Sequence, residues 1–100
     1  MLNMKFNVGL AQVAPALGDV AANLQLHLDT AAAASARGVD LLIFPELSLT
    51  GYRLGDRAFD VTIRAEPGDP VFAALLEASR TLDLVVSFVE ADDRRRAYIT

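Results

Sequence analysis

Hydrophobic positions change period along this chain, and each change marks an element. From Phe6 to Val13, the residues Phe6, Val8 and Leu10 alternate with the small Gly9 and Ala11, a period of two that predicts a strand closely packed on its small-residue face. Pro15 and Gly18 break the run, and Asp19 is placed to cap a helix in which Val20, Leu24, Leu28 and Ala31 recur at helical spacing. The alanines at 31–34 lose little entropy in a helix, and Arg37-Gly38 supplies a terminal cation and a cap, so the helix is predicted over 20–37. Val39 to Phe44 is almost uninterruptedly apolar, as expected of a strand covered on both sheet faces. Strand, helix and strand with short links predict a right-handed parallel crossover.

The second half is less regular. Pro45 to Pro70 is weakly periodic and charged, a long link at a strand end of the kind that carries function. Asp69 as cap, Pro70 as first helical residue and Phe72, Leu75 and Leu76 as inward face predict a second helix ending near Leu82. Leu84 to Val89 reads as a third strand, Glu90 to Arg96 as a charged turn, and Ala97 to Thr100 as another strand just beginning. A strand that has only begun suggests a fragment of a larger unit. The order β-α-β-loop-α-β-β is that of an α/β fold, or layered α+β in some schemes, with no internal repeat and no second domain.

Composition narrows the classes. The 100 residues are 53% hydrophobic with a mean hydropathy of +0.33, enough to fold as one domain or part of one. A formal charge of -4 repels phosphate backbones and offers no polybasic surface to anionic lipid, so neither nucleic acid nor membrane is an expected partner. The opening stretch Met1 to Phe6 lacks a leader pattern, which makes the cytoplasm the expected location. With no cysteine, these residues hold no disulfide and no thiol nucleophile or ligand.

The candidate for chemistry is Glu46, which follows Phe44-Pro45 at the carboxyl end of a buried strand, a favoured place for a working group. Pro45 stiffens the departure from the sheet, and partial burial beside Phe44, Leu47 and Tyr52 would raise the carboxyl pKa toward neutrality. Position alone favours an exposed or helix-capping glutamate. Phe44 and Tyr52 either line a pocket around this base or belong to simple core. His27, among Leu24, Leu26 and Leu28 with no neighbouring His or Cys, reads as a surface or packed histidine, and Asn23 as bonded to nearby backbone. No phosphate-binding glycine loop is present, and Arg94-Arg95-Arg96 after Asp92-Asp93 reads as a solvated turn. No metal or cofactor is expected.

The run Leu41-Leu42-Ile43-Phe44-Pro45-Glu46-Leu47-Ser48-Leu49-Thr50-Gly51-Tyr52 resembles the first catalytic block of the carbon–nitrogen hydrolase, or nitrilase, superfamily. Val8 to Gln12 is similar to the family's first strand, Gly18-Asp19 with Asn23 to the start of its first helix, and Gly68-Asp69-Pro70 onward to its next elements. The resemblance implies part of a four-layer α-β-β-α sandwich and a Glu-Lys-Cys catalytic set acting through a thiol acyl-enzyme. Glu46 alone carries over, as general base. Lys5, the sole lysine, precedes the glutamate where the family's lysine follows it, so it reads as a charged strand entrance; lysine and cysteine are expected beyond Thr100.

The expected substrate is accordingly a small amide, nitrile or carbamoyl compound, hydrolysed by the full-length protein and not by these 100 residues alone. The resemblance also implies a homo-oligomer. Because Thr50-Gly51-Tyr52 resembles that branch as well, the neighbouring alternative is a glutamine-hydrolysing domain supplying ammonia to an NAD synthetase. An alternative of another class is a non-catalytic α/β binding module.

Overall fold

The computed structural model describes residues 4–100. Met1, Leu2 and Asn3, part of the stretch read above for a leader, lie outside it. In chain order the elements are β1 (Val8–Leu10), α1 (Val20–Ala36), β2 (Leu41–Ile43), a 3-10 helix (Gly55–Val61), α2 (Pro70–Ala78), β3 (Asp83–Val85), β4 (Val89–Ala91) and β5 (Ala97–Ile99). The first three strands form a parallel sheet in the order β1-β2-β3, with Gly9, Leu42 and Leu84 in one row. Right-handed crossovers in that order place both helices on the same face, and α1 and α2 pack together there. The fold is α/β, as the alternation of elements predicts. Among the described residues no helix is long and apolar enough to cross a membrane.

Small residues let the layers approach. Ala31 and Ala34 of α1 pack on Leu42, Phe44 and Leu82 in one core cluster. A β-carbon on Gly9 would lie 3.1 Å from side-chain atoms of both Leu42 and Val39, which is the close packing its pattern predicts. The first turn of α1 is held by Asp19, whose carboxylate accepts from Ala22 N at 3.0 Å. The buried face of α1 comprises Asn23, His27, Ala31 and Ala34, turned from the predicted leucine stripe. Val20 and Leu24 sit at its margin, against a second cluster of Leu49, Ile63, Leu75 and Phe88.

Several expectations are corrected. β1 is shorter than the 6–13 run, and the sheet is covered on one face only: Leu42 is 3% exposed, whereas Val8 and Leu10, on the opposite face, are 53% and 76% exposed. α2 stops at Ala78, because the hydroxyls of Ser79 and Thr81 donate to the carbonyls of Leu76 and Ala78 and close the helix end. Leu76, expected on the inward face, is exposed, while Leu75 is buried. The run Leu84 to Val89 is split between two sheets. Val85 O accepts from Phe44 N as the last bond to the parallel sheet, and from Phe88 onward the chain pairs with Thr100, β5 and Ile63 instead. The turn between β4 and β5 is built on Asp92, which accepts from the backbone of Arg94 and Arg96 and from the Arg96 guanidinium.

One carboxylate fixes the entry to α2. Asp69 Oδ1 accepts from Val71 N at 2.9 Å and Phe72 N at 3.1 Å, while Oδ2 accepts from Arg64 N at 3.1 Å. Replacing Asp69 with Ala is expected to cost about 1–2 kcal/mol, read as a lower urea midpoint with unchanged slope. An unaltered midpoint would show that this cap contributes nothing.

Candidate active site

The segment after β2 departs from the sheet at Pro45 and folds at once into a tight turn. Ser48 N donates to Pro45 O at 3.2 Å, and Thr50 N and Gly51 N both donate to Leu47 O, at 3.1 and 2.7 Å. The turn requires Leu47 to take φ +53°, a left-handed conformation that is rare for a branched residue and costs on the order of 1–3 kcal/mol. Leu47 is held there by burial against Leu54 and Val89. Gly51 closes the turn at φ +81°, where a β-carbon would meet Leu17 Cδ1 at 3.1 Å. The residue between Pro45 and the strained Leu47 is Glu46.

Helix α1 and the segment before it grip this turn from below. Gly18 N donates to Thr50 O at 2.8 Å. Asn23 exchanges two bonds with Ala16, and its Nδ2 also donates to Leu49 O at 3.0 Å. His27 Nδ1 lies 2.6 Å from Asn23 O, and a carbonyl can only accept, so Nδ1 carries the proton. Nε2 then accepts from Ser48 Oγ at 2.7 Å. The Phe44 ring stacks on the imidazole at 4.1 Å between centroids. Asn23, His27, Ser48 and Thr50 are each at most 1% exposed, and no buried side-chain polar atom among the described residues lacks a partner. Burial lowers the His27 pKa, outweighing the opposing bond to Asn23 O, so the ring is held neutral.

Above the turn, Glu46 is exposed, which corrects the expected partial burial; only Leu47 and Phe44 of its expected neighbours are buried. Its carboxylate is instead fixed by Tyr52, whose hydroxyl donates to Glu46 Oε2. That bond to an acceptor anion is the main reason the Tyr52 pKa is raised. Of the two aromatic candidates, Tyr52 therefore touches the Glu46 carboxylate, whereas Phe44, 4% exposed, belongs to the core and reaches Glu46 only through the backbone. Beside Tyr52 runs a groove of about 260 Å³ lined by Leu47, Leu54, Ala58, Val89, Ala97 and Ile99. Lys5 is exposed ahead of β1. Among the described residues no group of His, Asp and Glu is placed to hold a metal ion.

Such an arrangement can accept and return a proton at one place, since one carboxylate oxygen is anchored and the other is open. Among the described residues it holds no thiol. The residues that sequence reasoning undervalued are His27 and Ser48, whose pairing spans 21 positions. The available signal was the i, i+4 placement of Asn23 and His27 on a helix otherwise lined with leucine and alanine.

The chain matches the carbon–nitrogen hydrolase family over residues 7–96, and it belongs to that family. Its relatives include the glutamine-dependent NAD(+) synthetase of Acinetobacter baylyi, 32% identical over 83% of this chain and 15% of that protein. The enzyme of the same name from Thermotoga maritima is 48% identical over 48% of this chain and 8% of its own length. Among solved structures, the glutamine-dependent NAD+ synthetase from Acinetobacter baumannii, in complex with ADP, superposes with a TM-score of 0.69 at 28% identity, covering 93% of this chain and 17% of that one. The chain thus spans less than a fifth of the length of these proteins.

A buried neutral histidine ties stability to pH. The unfolded chain binds a proton below the ordinary histidine value of about 6.5, while the folded chain resists it, so His27 contributes full stability above that pH and loses it as pH falls below. The unfolding free energy is expected to decline between pH 7 and 5.5, and this decline should be absent in His27→Gln. A wild-type decline that persists in His27→Gln would assign it to other groups.

Proposed function

We propose that residues 1–100 are the amino-terminal portion of a single carbon–nitrogen hydrolase domain and supply its general base, Glu46, for hydrolysis of the side-chain amide of glutamine. The observation that carries this reading is the placement of Glu46: an exposed carboxylate at the carboxyl end of β2, on a strained turn, with one oxygen anchored by Tyr52. The choice of glutamine over a nitrile or carbamoyl compound is supported by the relatives, which are glutamine-dependent NAD(+) synthetases. This favours the alternative raised from Thr50-Gly51-Tyr52 above the broader reading. The ammonia released would serve NAD synthesis by the rest of such a polypeptide. With the proposal go the cytoplasmic setting and the self-association expected above. The open sheet face bearing Val8 and Leu10 would be covered by the second sheet of a four-layer sandwich.

In this mechanism the free oxygen of Glu46 takes the proton of a cysteine thiol supplied from beyond residue 100, and the thiolate adds to the amide carbon while a lysine steadies the oxyanion. As the carbon–nitrogen bond breaks, Glu46 returns the proton to the departing ammonia. Glu46 then accepts a proton from the water that cleaves the thioester and passes it to the departing thiolate, which releases glutamate and restores both thiol and carboxylate. Tyr52 holds the carboxylate still through both transfers, and the tight turn keeps its backbone in place.

The deciding experiment is glutamine hydrolysis by the full-length polypeptide. Glu46→Gln, which keeps the shape and a partner for Tyr52, is expected to lower turnover about 10²–10⁴-fold with the fold intact by circular dichroism. Unchanged turnover would remove Glu46 from the chemistry. The 100-residue chain by itself is expected to release no ammonia from glutamine, and repeated turnover by it would contradict the requirement for a downstream thiol.

A further inference from the structure

His27 is linked to the chain on both sides of Glu46. Two residues before the glutamate, the Phe44 ring stacks on the imidazole with 24° between planes; two residues after it, the Ser48 hydroxyl donates to Nε2 at 2.7 Å. The ring is itself fixed from its far side, because Nδ1 donates to Asn23 O at 2.6 Å and Asn23 is pinned to Ala16 and Leu49. The tautomer is set by the carbonyl, so Nε2 presents a lone pair in one direction only, and Ser48 is the group it meets. A leucine at 27 would fill the space but could not orient Ser48.

From this geometry we infer that His27 is the positioning residue for Glu46: one imidazole bracketing the glutamate at positions 44 and 48 fixes the turn from which its carboxylate meets Tyr52. His27 touches neither substrate nor the carboxylate and acts through Phe44 and Ser48. The catalytic meaning of the inference rests on the proposed role of Glu46, but the placement it describes is a property of this chain alone.

Tyr52 reports that placement, since its pKa is raised chiefly by the hydrogen bond to Glu46. Tyr98 serves as an internal control, because its raised pKa comes from burial and from Asp92. The test is titration of the two tyrosine Cζ resonances by NMR in the 100-residue chain and in its Ser48→Ala, Ser48→Thr and His27→Gln variants. Ser48→Ala and His27→Gln are expected, like Glu46→Gln, to lower the Tyr52 midpoint toward the ordinary value of about 10, with Tyr98 unmoved. Ser48→Thr keeps the hydroxyl and is expected to retain the raised midpoint. Should Ser48→Ala fail to fold, His27→Gln gives the reading. A Tyr52 midpoint unchanged in a folded variant that lacks the bond from Ser48 to His27 overturns the inference, because a purely structural histidine would lower the unfolding midpoint and leave Tyr52 as it was.

In the full-length polypeptide the same two variants are expected to lower kcat for glutamine while keeping KM, and a change confined to KM would also count against positioning. Wild-type turnover in Glu46→Gln would end the catalytic reading while leaving the Tyr52 result standing, so the two failures are distinguishable.

Discussion

The bond between His27 on α1 and Ser48 on the turn after β2 is the constraint around which this structure is arranged. A turn that places a branched residue at a left-handed φ works against itself by on the order of 1–3 kcal/mol. Each well-made buried hydrogen bond returns about 0.5–1.5 kcal/mol net, and breaking one so that its partner is orphaned costs about 1–3. The three bonds that reach the turn from below, from Gly18, Asn23 and His27, are together enough to offset the strain at Leu47. The turn therefore keeps its shape because a helix that never reaches the surface of the site holds it from behind.

This division explains why an exposed carboxylate can still be ordered. Glu46 sits in solvent, where a glutamate ordinarily samples many rotamers, but its backbone is fixed below and one oxygen is fixed above by Tyr52. The buried half of the site is neutral and fully hydrogen-bonded, and the exposed half carries the charge. Keeping His27 uncharged avoids burying a cation beneath the turn, which is the physical reason for the lowered pKa. Within a carbon–nitrogen hydrolase fold this arrangement fits the role proposed for Glu46, since a carboxylate that is to accept and return protons benefits from being held without being buried.

Local pattern made the parallel strands and both helix starts legible. Asp19, Asp69 and Pro70 announced their caps because capping is a contest decided within a few residues, and Gly9 announced close packing, since a β-carbon there would stand 3.1 Å from the side chains of Leu42 and Val39. What pattern could not show was partnership across distance. Leu84 to Val89 looks like one strand until Phe44 claims Val85 and Ile63 claims Val89. Glu46 stood out by its place after a strand and by its family motif, but the sequence suggested burial beside Phe44, Leu47 and Tyr52, whereas Phe44 and Leu47 turn inward and Glu46 and Tyr52 stay exposed. His27 looked like an unremarkable histidine among leucines, because its worth depends on Ser48, and no periodicity links a helix residue to a turn 21 positions later. Phe44 and Tyr52, read alike from sequence, separate once the sheet sends one to the core and the other to the carboxylate.

A clamped turn opens only with the sheet it leaves, a rigidity that native-state hydrogen exchange measures. The amides of Ser48, Thr50 and Gly51, each bonded within the turn, are expected to exchange together with the sheet amides of Phe44 and Ala11, through the same slow opening. If they exchange instead as fast as the amides of Arg94 and Arg96 in the solvated turn, the clamp does not hold the turn and the account fails.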